Sequence, residues 1–280
     1  MSKVSETLLK NSPAILSIGA SDSGGGSGIQ ADLKTFSALG VFGTTALTCV
    51  TAQNPAGIGT VRAIESALVA EQIRKICEAF PIAAVKTGAL ISPEIIRVVV
   101  GEISTQGLPV LVVDPVIVDE SGARLFQADG MDVLCRELLP NARVVTPGLR
   151  EAEILCGRGI SSLEDLRQAA RDICERYDVA CVAKGTRLGG DDENVVDVLF
   201  DEGEEFLFKG KRVPAVQSHG AGCAFSAAIT AFLGKGFHLS EAVLRAKNFV
   251  GGTLRHAVEI GRFRPLNFNW TAAHGGESKT

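Results

Sequence analysis

Short apolar runs alternate with amphipathic stretches along most of this chain, and this alternation constrains the fold more than any other feature. Five runs have the length and character of strands buried on both faces, at 14–19, 83–86, 109–113, 143–146 and 179–183. Between them, apolar residues recur every three to four positions, as in helices, at 28–39, 68–79, 92–105, 129–138 and 162–176. This alternation predicts βαβ units and therefore an α/β fold, in which helices cover both faces of a mainly parallel central sheet.

The pattern changes after residue 193. Residues 194–214 alternate in the manner of a β-hairpin that turns at 201–204, and two further helices are predicted at 223–234 and 239–258. No long linker rich in proline, serine or charge divides the chain. We therefore expect a single domain over 13–270, with flexible polar tails at 1–12 and 271–280.

Composition excludes several classes of function. The net charge of −4 and the pI of about 5.7 provide no basic field for nucleic acid. The chain has neither a signal-peptide pattern at its start nor a run of about 18 apolar residues, so we expect a cytoplasmic protein without a membrane partner. Seven cysteines are scattered without CxxC pairs, which indicates neither a zinc site nor a disulfide framework.

The first unusual loop is GASDSGGGSGIQADLKTF, at 19–36. Glycines that follow a strand and precede a helix allow close backbone approach and positive φ, so this loop is suited to wrapping a small ligand. Gly24 and Gly26 also match a loose dinucleotide fingerprint, but the acidic residue expected about 20 positions later is absent, and the residues at 47–50 are apolar. A purely structural turn is the other alternative.

The second loop is SHGAGC, at 218–223. Its glycines lead into a helix, so unpaired backbone N–H groups and the positive end of the helix dipole meet at one spot that attracts an anion. A thiol there, that of Cys223, is expected to have a pKa below its usual value of about 8.5 and to accept a proton or attack an electrophile. A buried structural cysteine remains an alternative. A cysteine–histidine hydrolase that uses His219 is another, although no orienting Asn or Asp is identifiable.

A third group of motifs puts a charged residue or a Gly/Pro turn directly after a strand. They are AVKTGAL at 84–90, VVDPVIV at 112–118, VVTPGLREAE at 144–153 and CVAKGTRLGG at 181–190. In open α/β sheets the carboxyl ends of strands meet at one crevice. Asp114 and Glu151 could hold Mg²⁺ there through water, and Lys184 could pair with phosphate oxygens. Each residue alone also fits a structural cap or a surface charge, but together they predict a nucleotide-phosphate site.

The order of these motifs resembles a known family. SDSGGGSGIQADLKTFSALG is followed by TAQN, KTGAL, VDPV, TPGLREAE, AKG and SHGAGC. This order closely resembles the hydroxymethylpyrimidine/phosphomethylpyrimidine kinases of thiamin biosynthesis, within the ribokinase superfamily, over 14–268. The resemblance implies a ribokinase-like three-layer sandwich and a homodimer. It also implies a kinase that uses ATP and Mg²⁺ to phosphorylate 4-amino-5-hydroxymethyl-2-methylpyrimidine and then its monophosphate.

The resemblance also implies roles for the residues that contact the pyrimidine. Gln53 would read the edge of the ring, because an amide offers one acceptor and two donors. Four residues would line the ring or its hydroxymethyl arm, namely Ala20, Ser27, Asp32 and Val116. Most ribokinase relatives carry aspartate where this chain has Cys223, so the thiol would be the general base.

Further roles concern the phosphates. Three residues would form the anion hole, namely Gly220, Ala221 and Gly222. Asp114 and Glu151 would lie near magnesium, while Lys184 and Lys247 would lie on the nucleotide side. This division of labour suffices for phosphoryl transfer, which depends mainly on positioning and charge stabilisation.

Three positions depart from the family pattern. Ala89 replaces a methionine that packs on the pyrimidine, so a wider pocket is expected. Gly148 replaces the asparagine of an NxxE motif, which makes the metal site the least conventional part. SHGAGC replaces THGTGC and leaves the backbone donors and the thiol in place. Two alternatives to the pyrimidine kinase follow. One is a pyridoxal or pyridoxine kinase, because Ala89 makes room for the extra substituents of a similarly sized ring. The other is a catalytically weakened vitamin-precursor binding protein, because of Gly148.

Overall fold

A computed structural model of the protein describes residues 12–118, 128–185, 193–214 and 219–270. The strands within these residues form one nine-stranded sheet in the order β3-β2-β1-β4-β5-β6-β7-β8-β9. They are β1 Ala14–Asp22, β2 Phe42–Asn54, β3 Gly57–Ala63, β4 Ile82–Thr87, β5 Leu111–Val113, β6 Val144–Val145, β7 Ala180–Ala183, β8 Asn194–Asp201 and β9 Glu204–Lys211. Neighbouring strands from β2 to β7 pair in parallel, whereas β3, β8 and β9 pair antiparallel at the two edges.

Helices of the described residues cover both faces of this sheet. They are α1 Gly28–Ala38, α2 Ser66–Ala79, α3 Pro93–Thr105, α4 Ala128–Val133, α5 Leu149–Cys156, α6 Leu163–Tyr177, α7 Ala221–Gly234 and α8 Leu239–Arg255. Apolar side chains of α2 to α6 pack on one face, and those of α1, α7 and α8 pack on the other. Along β1, Leu16 and Ile18 belong to the first layer and Ile15 to the second, as the alternation of side chains in a strand requires.

The predicted α/β architecture is therefore confirmed, including the five buried strands and the hairpin of β8 and β9. Strand β2 and the edge strand β3 were not predicted, and β2 was missed because its sequence FGTTALTCVTAQN mixes threonines with apolar residues instead of forming an apolar run. The short helix α5 was also missed. No helix of the described residues is long and apolar enough to cross a membrane. The two predicted tails lie almost entirely outside the described residues.

The strand order creates a place for a ligand. The chain runs from β1 outwards to β2 on one side, and β4 continues the sheet on the other side of β1. This reversal is a topological switch point, at which the connections leave a crevice beyond the carboxyl ends of the strands. The two glycine-rich loops, after β1 and before α7, both lie at this end of the sheet.

Candidate functional site

A cavity of about 560 Å³ opens at the switch point. All the predicted site residues except Ala221 and Lys247 line this cavity. These are Ala20, Ser27, Asp32, Gln53, Ala89, Asp114, Val116, Glu151, Lys184, Gly220, Gly222 and Cys223. Residues that were not predicted also line it, and among them Asp22, Lys86, Ile91 and His219 carry the contacts described below. Ser218 and residues 186–192 lie outside the described residues.

The glycine-rich loop wraps around the carboxylate of Asp22. Oδ1 accepts the N–H of Gly24 at 2.8 Å, and Oδ2 accepts the N–H groups of Gly26 at 3.1 Å and Ser27 at 2.8 Å. Gly28 has a φ of 56° and lies against the carbonyl of Ala20, where a side chain would collide with the backbone. The loop is thus held in one shape by backbone hydrogen bonds to a single buried carboxylate.

Gln53 reaches this loop from the end of β2. Its Nε2 donates to Ser27 Oγ at 3.3 Å, and its Oε1 accepts from Thr51 Oγ1 at 3.1 Å. These two contacts orient the amide and still leave it one donor hydrogen and one lone pair. The amide is therefore fixed beside the cavity with capacity to bind a ligand that offers both a donor and an acceptor.

A buried ion pair forms the floor of the cavity. Lys86 Nζ lies 2.9 Å from Asp32 Oδ2, and the two side chains are only 1% and 2% exposed. The same oxygen accepts from Ser17 Oγ at 2.6 Å. Asp32 Oδ1 is buried with no hydrogen-bond partner among the described residues. Burial raises the pKa of Asp32 despite the ammonium of Lys86, whereas the carboxylates and the thiol around Lys86 raise its pKa despite burial.

Cys223 sits in the first turn of α7, as predicted, because Gly220 is the N-cap of this helix. The expectation of a lowered thiol pKa was wrong. Burial raises the pKa of Cys223 to about 12, and Asp114 and Asp32 add to this effect, while Lys86 and a backbone hydrogen bond from Gly28 oppose it. Negative neighbours and loss of solvent thus outweigh the favourable groups, and the thiol is protonated at neutral pH.

Asp114, Lys184 and Glu151 form a second charged cluster beside the thiol. Lys184 Nζ lies 3.0 Å from Asp114 Oδ1, and Ser226 Oγ donates to Asp114 Oδ2 at 2.9 Å. Burial lowers the pKa of Lys184, but Asp114 and Glu151 outweigh it, so the pKa rises. If Gly222 carried a Cβ, that atom would lie 3.3 Å from Lys184 Nζ, so the ammonium group is adjacent to Gly222. This ammonium therefore stays charged next to the first turn of α7.

The carboxylates of this cluster fit Mg²⁺ only through water. Glu151 accepts the N–H of Ile117 at 2.9 Å with Oε1 and that of Gly148 at 2.8 Å with Oε2, so each oxygen is partly occupied. No group of three or more His, Cys, Asp or Glu side chains among the described residues is placed to hold a metal. Mg²⁺ retains several waters in sites that use one or two carboxylates together with substrate phosphates. Burial also raises the pKa of Glu151, with Asp114 adding to it and Lys184 opposing it.

Lys247 lies apart from the lining residues. Its Nζ is 2.7 Å from Asp197 Oδ2, and Asp197 Oδ1 accepts the N–H of Gly185 at 3.0 Å. Through Asp197, Lys247 thus helps to hold the backbone of Gly185, which directly follows Lys184. Ala221 is the first residue of α7 and lies between Gly220 and Gly222, both of which line the cavity.

The remaining wall is apolar and partly strained. Ala89 lines it, and the carbonyl of Ala89 accepts from Thr48 Oγ1 at 2.6 Å. Val116 and Ile91 have φ values of 41° and 52°, which are rare for β-branched residues and cost about 1–3 kcal/mol each. The surrounding structure imposes these conformations, because Ile117 is held by Glu151, and Ser92 N–H bonds to Leu90 O across Ile91 at 2.7 Å.

The chain is similar in sequence to proteins of a known family. The family model described as phosphomethylpyrimidine kinase matches residues 22–267. The chain is 38% identical over 264 residues to the hydroxymethylpyrimidine/phosphomethylpyrimidine kinase of Haemophilus influenzae, which covers 94% of this chain and 98% of that protein. It is also 39% identical over 249 residues to the thiamine biosynthesis bifunctional protein ThiED of Geobacter sulfurreducens, covering 89% of this chain but about half (50%) of that protein's length.

Two solved structures of kinases have a fold similar to that of this chain. A phosphomethylpyrimidine kinase from Clostridium difficile has a TM-score of 0.75 and 34% identity, with 85% of this chain and 97% of that chain covered. A Bacillus subtilis pyridoxal kinase, solved as an ADP complex, has a TM-score of 0.84 and 32% identity, with 94% of this chain and 100% of that chain covered. The fold is thus shared with kinases of two small heterocyclic substrates.

Proposed function

Because this chain belongs to the phosphomethylpyrimidine kinase family, we propose that it phosphorylates 4-amino-5-hydroxymethyl-2-methylpyrimidine and then the resulting monophosphate. ATP donates the phosphoryl group, and the reaction belongs to thiamin biosynthesis. The proposed location is the cytoplasm. One observation carries the proposal: the amide of Gln53 and the first turn of α7, with Cys223, line the same cavity. A ring recognised by the amide would therefore extend its hydroxymethyl arm towards the helix N-terminus.

Recognition of the ring follows from the polar groups that retain hydrogen-bonding capacity. Gln53 keeps one acceptor, which matches the amino group of an aminopyrimidine, and one donor, which matches a ring nitrogen. Asp32 Oδ1 is a buried acceptor that has no partner in the described part of the chain, and a donor from the ligand would satisfy it. Ala20, Ala89 and Val116 supply apolar contacts to the ring.

Phosphoryl transfer needs positive charge where the phosphate oxygens move. Gly220, Ala221 and Gly222 offer backbone N–H groups at the N-terminus of α7, and Lys184 adds a buried ammonium next to them. Asp114 and Glu151 would hold Mg²⁺ through its waters, and a bound Mg²⁺ neutralises charge on the phosphates. Lys247 acts indirectly, since its contact with Asp197 stabilises the backbone of Gly185, next to Lys184.

Cys223 is our candidate for the group that takes the proton of the hydroxymethyl oxygen. Its position at the third residue of α7 supports this role. Its pKa of about 12 makes the role dependent on pH, because the reactive thiolate is a minor species of about 10⁻⁵ at pH 7. A rate limited by this species is expected to rise as pH rises.

A pyridoxal or pyridoxine kinase is the second candidate. Ala89 leaves room along the cavity wall, and the Bacillus subtilis pyridoxal kinase has nearly the same fold over its whole length. A weakened binding protein is a third alternative, which the altered residue Gly148 motivates.

The test is a turnover assay with ATP and Mg²⁺ across hydroxymethylpyrimidine, its phosphate and pyridoxal. We expect the two pyrimidines to give kcat/KM values at least tenfold above that of pyridoxal. A preference for pyridoxal would support the second candidate, and binding without turnover of any substrate the third. Sedimentation of the same sample tests the predicted homodimer.

A further inference from the structure

We propose that Asp22 and His219 form a bridge that couples the glycine-rich loop to the turn before α7. Both are positioning residues, and the inference rests on the proposed function, since it concerns how that site is held. The glycine-rich loop after β1 comprises residues 22–28, and the turn before α7, the phosphate turn, comprises residues 219–222. The two segments are almost 200 positions apart in the sequence, as the separation of 197 between Asp22 and His219 shows.

The bridge is centred on a carboxylate with many partners. Asp22 Oδ2 accepts from the N–H groups of Gly26 and Ser27, from Ser27 Oγ at 2.9 Å, and contacts His219 Nε2 at 3.3 Å. The Asp22 side chain is 2% exposed and that of His219 is 9% exposed. Burial raises the pKa of Asp22, but the hydrogen bonds from Ser27, Gly24 and His219 outweigh it, so the pKa is lowered and Asp22 is ionised at neutral pH.

The two segments also meet directly through their backbones. Gly26 lies against the His219 ring, because a Cβ on Gly26 would be 2.8 Å from Cδ2 of His219, closer than Cβ atoms approach other heavy atoms. Gly220 has a φ of 81°, and a Cβ on it would collide with the carbonyl of Gly26. Glycine at these two positions therefore lets the segments touch, while Asp22 and His219 fix how they touch.

The bridge connects the two halves of the proposed site. Ser27 Oγ donates to Asp22 and accepts from Gln53 Nε2, so the carboxylate holds the residue that orients the ring-reading amide. His219 directly precedes Gly220, the N-cap of the helix that carries Cys223. A shift of either segment therefore changes both the ring position and the anion hole, which is the physical basis of coupling between the two substrates.

The test uses the full chain with His219→Ala, His219→Gln and Asp22→Asn. Amide hydrogen exchange followed by mass spectrometry reports the bridge without any need for activity. We expect His219→Ala to speed exchange of residues 24–27 about tenfold, and Asp22→Asn to speed it in both segments. His219→Gln keeps a donor of similar reach and should restore most of the protection.

Kinetics supply a second readout. We expect His219→Ala to lower kcat at least fivefold and to raise KM for both the pyrimidine and ATP, with partial rescue in His219→Gln. Asp201→Asn is the matched control, because Asp201 pairs with Arg143 at the opposite end of the sheet and should change stability without changing either KM.

The outcomes separate this inference from the proposed function. Unchanged exchange at residues 24–27 in His219→Ala would overturn the bridge, whatever the enzyme does. Faster exchange at residues 24–27 in His219→Ala, together with a wild type that phosphorylates neither pyrimidine, would refute the proposed function and support the bridge. Effects on only one KM, or equal effects in the alanine and glutamine variants, would overturn the coupling.

Discussion

Charged side chains form one side of the cavity, and apolar side chains form the other. Among the described residues of the charged side, Asp32, Asp114 and Glu151 lie near two ammonium groups, those of Lys86 and Lys184. On the apolar side, Ile91 and Val116 are held at positive φ by neighbouring hydrogen bonds. The charged side is thus arranged by ion pairs between distant segments, whereas the apolar side is arranged by local backbone geometry.

This difference explains where each side is sensitive. Three carboxylates against two ammonium groups leave a negative excess when all are ionised, so a further anion such as the Cys223 thiolate is disfavoured. Charge substitutions should therefore change rates by orders of magnitude. Changes on the apolar side alter shape, and their effects should be limited to the fit of the ring.

The largest effect is expected for Cys223, on the charged side. Cys223→Ala should lower kcat by about 10²–10⁴, the usual contribution of a general base, with little change in nucleotide binding. Cys223→Asp should retain measurable activity, since the positive end of the helix dipole favours a carboxylate there, although Asp114 and Asp32 oppose its ionisation as they oppose that of the thiol. Steady-state kinetics of both variants check this.

The pH profile is the control for this prediction. Because burial and carboxylates raise the pKa of Cys223 to about 12, the thiolate fraction grows tenfold per pH unit below that value, and the wild-type rate should rise in parallel from pH 7 to 9. In Cys223→Asp the profile should be flatter. Full activity of Cys223→Ala, or a covalent intermediate seen by mass spectrometry during turnover, would refute the general-base role.

The next largest effect is expected for Lys86→Met. This change leaves Asp32 buried without its cation, and breaking a buried pair costs about 3–5 kcal/mol of unfolding free energy. The loss should shrink as pH falls through the range in which carboxyl groups take up a proton, and for Asp32 this range begins at a higher pH than usual because burial raises its pKa. Urea unfolding at several pH values measures it.

Two matched variants sharpen this result. Lys86→Met combined with Asp32→Asn removes both charges and should recover most of the stability. Arg143→Met breaks the pair with Asp201, in which Arg143 is 37% exposed, and should cost about 1 kcal/mol or less. Equal losses for Lys86→Met and Arg143→Met would show that the cavity floor has no special electrostatic role.

The contrast between the two sides also decides what could be predicted from the sequence. Asp114, Glu151, Lys184 and Cys223 were found because each directly follows a strand or begins a helix, and the carboxyl ends of parallel strands meet at one crevice. The family comparison shows that the dinucleotide and cysteine–histidine hydrolase interpretations were wrong. Both rested on short local patterns that kinases also contain.

Properties that depend on distant pairs could not be predicted. Lys86 was visible in KTGAL, but its partner Asp32 lies 54 positions away, and no local pattern indicates that pairing. The direction of the Cys223 pKa shift was missed for the same reason, since it depends on Asp114 and Asp32 as well as on the helix. The positive φ of Ile91 and Val116 contradicts the preference of β-branched residues, so only the structure could provide it.

A smaller effect is expected on the apolar side, for Ala89→Met. The backbone at Ala89 is held by Thr48, so the added side chain must enter the cavity. Burying a side chain of that size is worth about 1.5–3 kcal/mol, so hydroxymethylpyrimidine should bind as tightly or more tightly, while pyridoxal loses about tenfold or more. Calorimetric titration with each ligand measures it. Ala79→Met, at the exposed end of α2, controls for the added methionine. A variant that loses the pyrimidine and gains pyridoxal would contradict the substrate assignment.

The smallest effect is expected for Gly148→Asn, which adds a neutral group to the charged side. Gly148 has a φ of −69°, so asparagine introduces no backbone strain, and its Cβ would lie 3.4 Å from Glu151 Oε2, an ordinary contact. The N–H of residue 148 would still bond to Glu151, because that bond involves only the backbone at 148. The new amide oxygen adds a partner for the waters of Mg²⁺, so the half-saturating concentration of free Mg²⁺ should fall by up to about tenfold, with kcat at saturation unchanged.

Mg²⁺ titrations of turnover measure this shift. Gly148→Ala, which adds only the Cβ, should keep the half-saturating concentration at the wild-type value. An equal shift in both variants would assign the effect to packing against Glu151, and no shift in either would mean that Glu151 positions the ion without help from residue 148.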